Sequence, residues 1–182
     1  MRYAVEMAWK PLRSWLGVDQ PREAEFAPLR ETLDALDNLE PERARFLAAF
    51  AYLLGRVANA DQQITPEETR TMEALVREHG QLAEEQAMLV VQLAKTSNLL
   101  FGGTANFLVA REFSALASYE QKLALMRCLF ALAATDQTIS TAEESEIHRI
   151  ANELRIDHPD LVALRVAHTR YLPGISRESG TT

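Results

Sequence analysis

Apolar residues recur at three- and four-residue intervals along most of this 182-residue chain. That spacing lays them on one face of an α-helix. The pattern predicts helices over residues 3–16, kinked at Pro11, and over 22–39, with Phe26, Leu29, Leu33 and Leu36 on one stripe. A third helix opens at Pro41, proline being well suited to a first helical position, and ends near Asn59. It carries Phe46, Leu47, Phe50, Leu53, Leu54 and Val57, apolar over most of its circumference, and is expected at the centre of the core.

Helix starts then punctuate the chain. Thr65-Pro66-Glu67-Glu68 reads as a capping box, in which the cap hydroxyl and the Glu carboxylate exchange bonds with each other's backbone N–H. Its helix holds Met72, Leu75 and Val76 and stops at Gly80. A helix over 82–95 follows, then a loop from Thr96 to Thr104, then a shorter helix over 105–116. Ser118 with Gln121 caps a helix to Ala134, Ser140 with Glu143 caps one to Leu154, and Asp157 caps a last one to about Tyr171. The polar tail from Pro173 is expected to be disordered.

A displacement of about 75 residues brings the sequence onto itself. Ala58-Asn59-Ala60-Asp61-Gln62-Gln63-Ile64-Thr65 falls on Ala133-Ala134-Thr135-Asp136-Gln137-Thr138-Ile139-Ser140, and Glu68 falls on Glu143. The flanks agree, with Leu54 on Leu129, Met72 on Ile147 and Leu75 on Ile150. The chain is therefore expected to be all-α, a single helical domain of about eight or nine helices with an internal pseudo-twofold repeat of three-helix units. The expected layout is an N-terminal helical extension, 1–40, packing on the core, a helical domain over 41–172 and a tail over 173–182. Within the domain, repeat one is 41–96, a linker and helix are 97–117, and repeat two is 118–172.

Two copies of Ala-x-x-Asp-Gln-x-Ile-Ser/Thr-x-x-Glu in an all-helical chain resemble the TerB family, named from bacterial tellurite-resistance operons. A related domain occurs in a membrane-anchored J-domain co-chaperone. The resemblance covers Pro41 to Tyr171 and departs from the family at Gln62 and Gln137, where glycine is usual. It implies a non-enzymatic binding or scaffold module in a bacterial stress response, to tellurite or to envelope damage. It also implies a divalent-metal sensor as an alternative, with Asp61, Glu68, Asp136 and Glu143 as ligands, and a regulatory domain akin to the co-chaperone's as another.

The residues themselves give those four acids a second reading. A loop Asp accepts backbone N–H groups nearby, and a Glu at the third helical position is engaged by its cap. An EF-hand is excluded, because Val57 and Asn59, or Leu132 and Ala134, would fall on the first two calcium ligands. Ile64 and Ile139 read as core plugs that pin the loops.

Composition narrows the rest. Asp and Glu number 26 against 19 Lys and Arg, a net charge of -7 that argues against a nucleic-acid partner. The single cysteine, Cys128, excludes an internal disulfide, suits a cytoplasmic setting and lies in an apolar helix as a small buried hydrophobe. His79, His148, His158 and His168 form no metal-binding pair, and Gly102-Gly103 is no phosphate loop. No catalytic constellation emerges, so no enzyme and no cofactor are expected. His148 is expected at the surface, and His79 beside a helix C-terminus. Trp9 and Trp15, with Arg2, Lys10 and Arg13, would suit peripheral membrane contact or a partner protein. Pro11 and the low basic count favour packing back on the domain instead.

Overall fold

A computed structural model describes residues 38–58, 66–100, 106–135 and 139–168, with backbone alone at 67, 68, 96–100 and 106. The expected helices over 3–16 and 22–39, except Asn38 and Leu39, which form a turn rather than the end of a helix, lie outside these residues, as do the tail and the loop residues Asp61, Gln62, Ile64, Asp136 and Gln137. Among the described residues there are seven helices and no strand. They are α1 (Pro41–Ala58), α2 (Pro66–His79), α3 (Glu84–Leu100), α4 (Asn106–Leu116), α5 (Tyr119–Ala133), α6 (Thr141–Leu154) and α7 (His158–Ala167).

The repeat is visible in these boundaries. A displacement of 75 residues carries α2 onto α6 from first residue to last. The packing is reciprocal, with α2 against α5, α6 against α1, and α1 and α5 against each other. Helix α1 is buried over most of its surface and also touches α3 and α4, as its largely apolar circumference predicted. Phe113 of α4 packs on Phe46 and Phe50 of α1, with ring centroids 5.2 and 6.0 Å apart. The two units differ in their third helices. α3 buries Ala87, Val90, Val91, Leu93 and Ala94, whereas α7 buries Leu161 alone.

Local chemistry sets the starts. Ser118 Oγ accepts from the Gln121 N–H at 3.2 Å, and the Ser118 N–H donates to Gln121 Oε1 at 2.8 Å. At α1 the preceding Glu40 serves instead, its Oε2 accepting from the Glu42 and Arg43 N–H groups, both at 3.1 Å. A carboxylate there also meets the positive end of the helix dipole.

Two local expectations need correction. Helix α3 runs on through Leu100, taking in the start of the stretch read as a loop from Thr96. Nothing in Thr96–Leu100 breaks a helix, and the first breaker is Gly102. Asp157 holds the N-cap position of α7 but makes no side-chain cap bond. The Tyr119 hydroxyl takes over, accepting the Asp157 N–H at 3.1 Å and donating to Asp160 Oδ2 at 2.6 Å. Helix α2 stops at Gly80 as read, and the left-handed residue is its neighbour Gln81, at φ 55°. Gly80 is required for space, because a Cβ there would stand 2.4 Å from the Val76 carbonyl oxygen and 3.3 Å from the Phe50 ring.

Candidate functional site around the second cap and the ion cluster between units

Of the four acidic candidates, the described side chain is that of Glu143. It occupies the third position of α6, where its Oε2 accepts the Ser140 N–H at 2.8 Å while its own N–H donates to Ser140 Oγ at 3.2 Å. The cap reading of this carboxylate therefore holds. Glu68 lies in the first turn of α2. Its side chain, with Asp61 and Asp136, falls outside the described residues, so the structure does not bring the four together or hold them apart. Ile139, just before the cap, is fully buried. This burial anchors the end of the second loop in the core, as the pattern predicted.

A second cluster escaped the sequence reading. Arg56, near the end of α1, has a side chain only 7% exposed that reaches across to α6. Its Nε donates to Glu146 Oε1 at 2.6 Å and its Nη1 to Glu153 Oε2 at 2.6 Å. The outer oxygen of Glu146 accepts from Arg149 Nη1, also at 2.6 Å. Burial lowers the Arg56 pKa, but the hydrogen bonds to Glu153 and Glu146 outweigh it and the net shift is upward. The nearby Tyr52 hydroxyl is raised, first by burial, with Glu146 and Glu153 adding to it and Arg56 opposing. Both carboxylates thus hold Arg56, Glu146 also holds Arg149, and the arrangement ties the first unit to the second.

The signal for this cluster was present in the sequence. Arg56 interrupts an apolar run, and Glu146 and Glu153 stand seven residues apart, on one face of a helix. The repeat hid it, since the positions equivalent to Arg56 and Glu146 are Ala131 and Thr71. Periodicity highlights what two units share, and this cluster belongs to one pairing.

The remaining single residues are soon placed. Cys128 is fully buried, its sulfur 3.8 Å from the Leu75 carbonyl oxygen, and burial pushes the thiol up to about 12. His148 is half-buried rather than on the open surface, in a shallow depression with Glu144, Ser145, Arg149 and Asn152. His79 is the last residue of α2, as expected. His168 stacks on Phe130 with centroids 5.6 Å apart, and one ring nitrogen lies 3.0 Å from the Leu164 carbonyl oxygen. Among the described residues no helix is long and apolar enough to cross a membrane.

The helix order, the reciprocal packing and the repeated loop-and-cap define a two-unit all-helical domain. The family model described as tellurite resistance protein TerB matches residues 46–166, from the first turns of α1 into α7. The chain belongs to the TerB family, as the repeated pattern implied. No curated protein and no solved structure matches it.

Proposed function

We propose that this protein is a non-enzymatic TerB-like binding or scaffold module of a bacterial stress response, with tellurite or envelope stress as its setting and the cytoplasm as its place. The observation that carries this reading is the TerB match across both units, residues 46–166. The described side chains agree with it in character. The polar groups around the second cap and in the Arg56 cluster are engaged with one another, which suits a domain that presents surfaces. The acidic loop residues are assigned the work of shaping the loops.

The test is growth of the host under tellurite and under envelope-damaging detergent, with and without the gene. Loss of tolerance restored by the wild-type chain is expected. Restoration should survive Asp61→Asn and fail in variants that unfold the domain. Unchanged tolerance to both stresses in the deletion strain would overturn the reading.

A further inference from the structure

Helix α7 carries apolar residues on two sides but is shallowly seated. Leu161 and the half-buried Leu164 face the core, whereas Val162 and Val166 on the other side are 43% and 65% exposed. A helix that is apolar all round is ordinarily enclosed. This one packs on α5, and Leu161 is its one buried side chain among the described residues.

Polar clasps at exposed or half-exposed positions secure it. At its start the Tyr119 hydroxyl accepts the Asp157 N–H at 3.1 Å and donates to Asp160 Oδ2 at 2.6 Å. Farther along, Arg165 Nε donates to Glu144 Oε1 of α6 at 2.8 Å. At its end the His168 ring lies over Phe130. The corner that leads into it holds Arg155 at φ 58°, a conformation a side chain resists. One buried leucine and a few clasps are a small share of what holds a domain together. The neighbouring helices have other anchors, since α5 packs on α1 and α2, and α6 on α1 and α4.

We infer that α7 is a strap that undocks from the domain as one unit, hinging at residues 155–157, with the Tyr119 hydroxyl as its latch. Undocking gives up little apolar burial, because Val162 and Val166 are already open to water. It uncovers the face of Phe130 that His168 covers and the place that Leu161 fills, an apolar strip that the closed strap conceals. The second unit thus carries a gated surface, whereas in the first unit α3 is fixed by five buried side chains. The inference is independent of the stress-response reading, since it concerns the internal equilibrium of the domain.

The experiment is amide hydrogen exchange of the full chain, followed residue by residue by NMR in water and in urea below the unfolding transition. The amides from Val162 to Ala167 should exchange through one common opening, with protection at least tenfold below that of α5 and α6. Tyr119→Phe keeps the ring at an exposed position and removes both hydroxyl bonds. It should raise the α7 opening about tenfold further and leave α1 and α2 unchanged. Equal protection of α5, α6 and α7 in the wild type overturns the inference. So does protection that falls steadily toward Ala167, the mark of an end that frays. Unchanged α7 exchange in Tyr119→Phe removes the latch, and equal acceleration along the whole chain marks a general loss of stability; either result also overturns it.

Discussion

Arg155 holds the left-handed conformation, φ 58°, that closes α6. The Ile156 N–H reaches back to the Ala151 carbonyl at 2.9 Å, the bond that ends many helices through a glycine. A side chain in that conformation costs roughly 1 kcal/mol. Arg155 is exposed, so little is lost with its side chain. Arg155→Gly is expected to stabilise the protein by about 0.5–1 kcal/mol, read as a higher urea midpoint at unchanged slope. Cys128 gives a prediction of a different kind. Because burial raises its pKa from 9.0 to about 12, the folded state holds the thiol proton more tightly than the unfolded state. Its contribution is intact below pH 9 and is lost as the pH climbs toward 12. Alkylation at neutral pH should follow global unfolding, so raising urea through the transition should switch labelling on. Labelling of the native protein at the rate of a free thiol would contradict the burial.

At the scale of elements, the legible features were those with local causes. Ser118–Gln121 and Ser140–Glu143 form the reciprocal bonds that their three-residue spacing specifies, because a capping box involves one stretch of chain. Pro41 and Pro66 open their helices for the same reason. What stayed illegible depended on distant residues. The start of α7 relies on Tyr119, 38 residues upstream of Asp157, and the position of Gly80 is dictated by Val76 and Phe50. Arg56 is the clearest case, since only the fold puts it against α6. Arg56→Ala would leave Glu153 partly buried without this cation and Glu146 with Arg149 alone, a loss of about 3 kcal/mol. Replacing the whole cluster, Arg56→Met with Glu146→Leu and Glu153→Leu, should recover most of that, because the ion pairs no longer have to be desolvated. Denaturant midpoints of the two variants decide it, and an Arg56→Ala protein as stable as the wild type would remove the cluster's structural role. The loops yield a further expectation. A hard dication needs about six oxygens, and Glu143 already spends one on its cap. Titration calorimetry with calcium should show no tight site. Micromolar affinity that vanishes in an Asp61→Asn, Asp136→Asn double variant would promote the sensor alternative.

Taken whole, the molecule has one core made by two repeats, and α1 sits where they meet. This helix, buried over most of its surface, contributes Phe46, Leu47, Phe50, Leu53, Leu54 and Val57 to contacts with α3, α4, α5 and α6. The repeat in the sequence is thus a unit of pattern but not of stability. A chain cut in the α4–α5 turn after Ala117 separates the two repeats, and each fragment then exposes the face that the other covers. The C-terminal fragment alone, the trio α5–α7 with an open apolar side, should show no cooperative unfolding, and the N-terminal fragment, which keeps α1–α4, should be less stable than the intact chain. Mixed in equal amounts, they should assemble into a heterodimer whose helicity and melting approach those of the intact chain, with a midpoint that rises with concentration. In the language of reporter design, the protein is a natural split pair: the hinge is the Ala117–Ser118 turn, the key is α1, and the Arg56 cluster supplies a charge match that discriminates the correct half from a second copy of the same one.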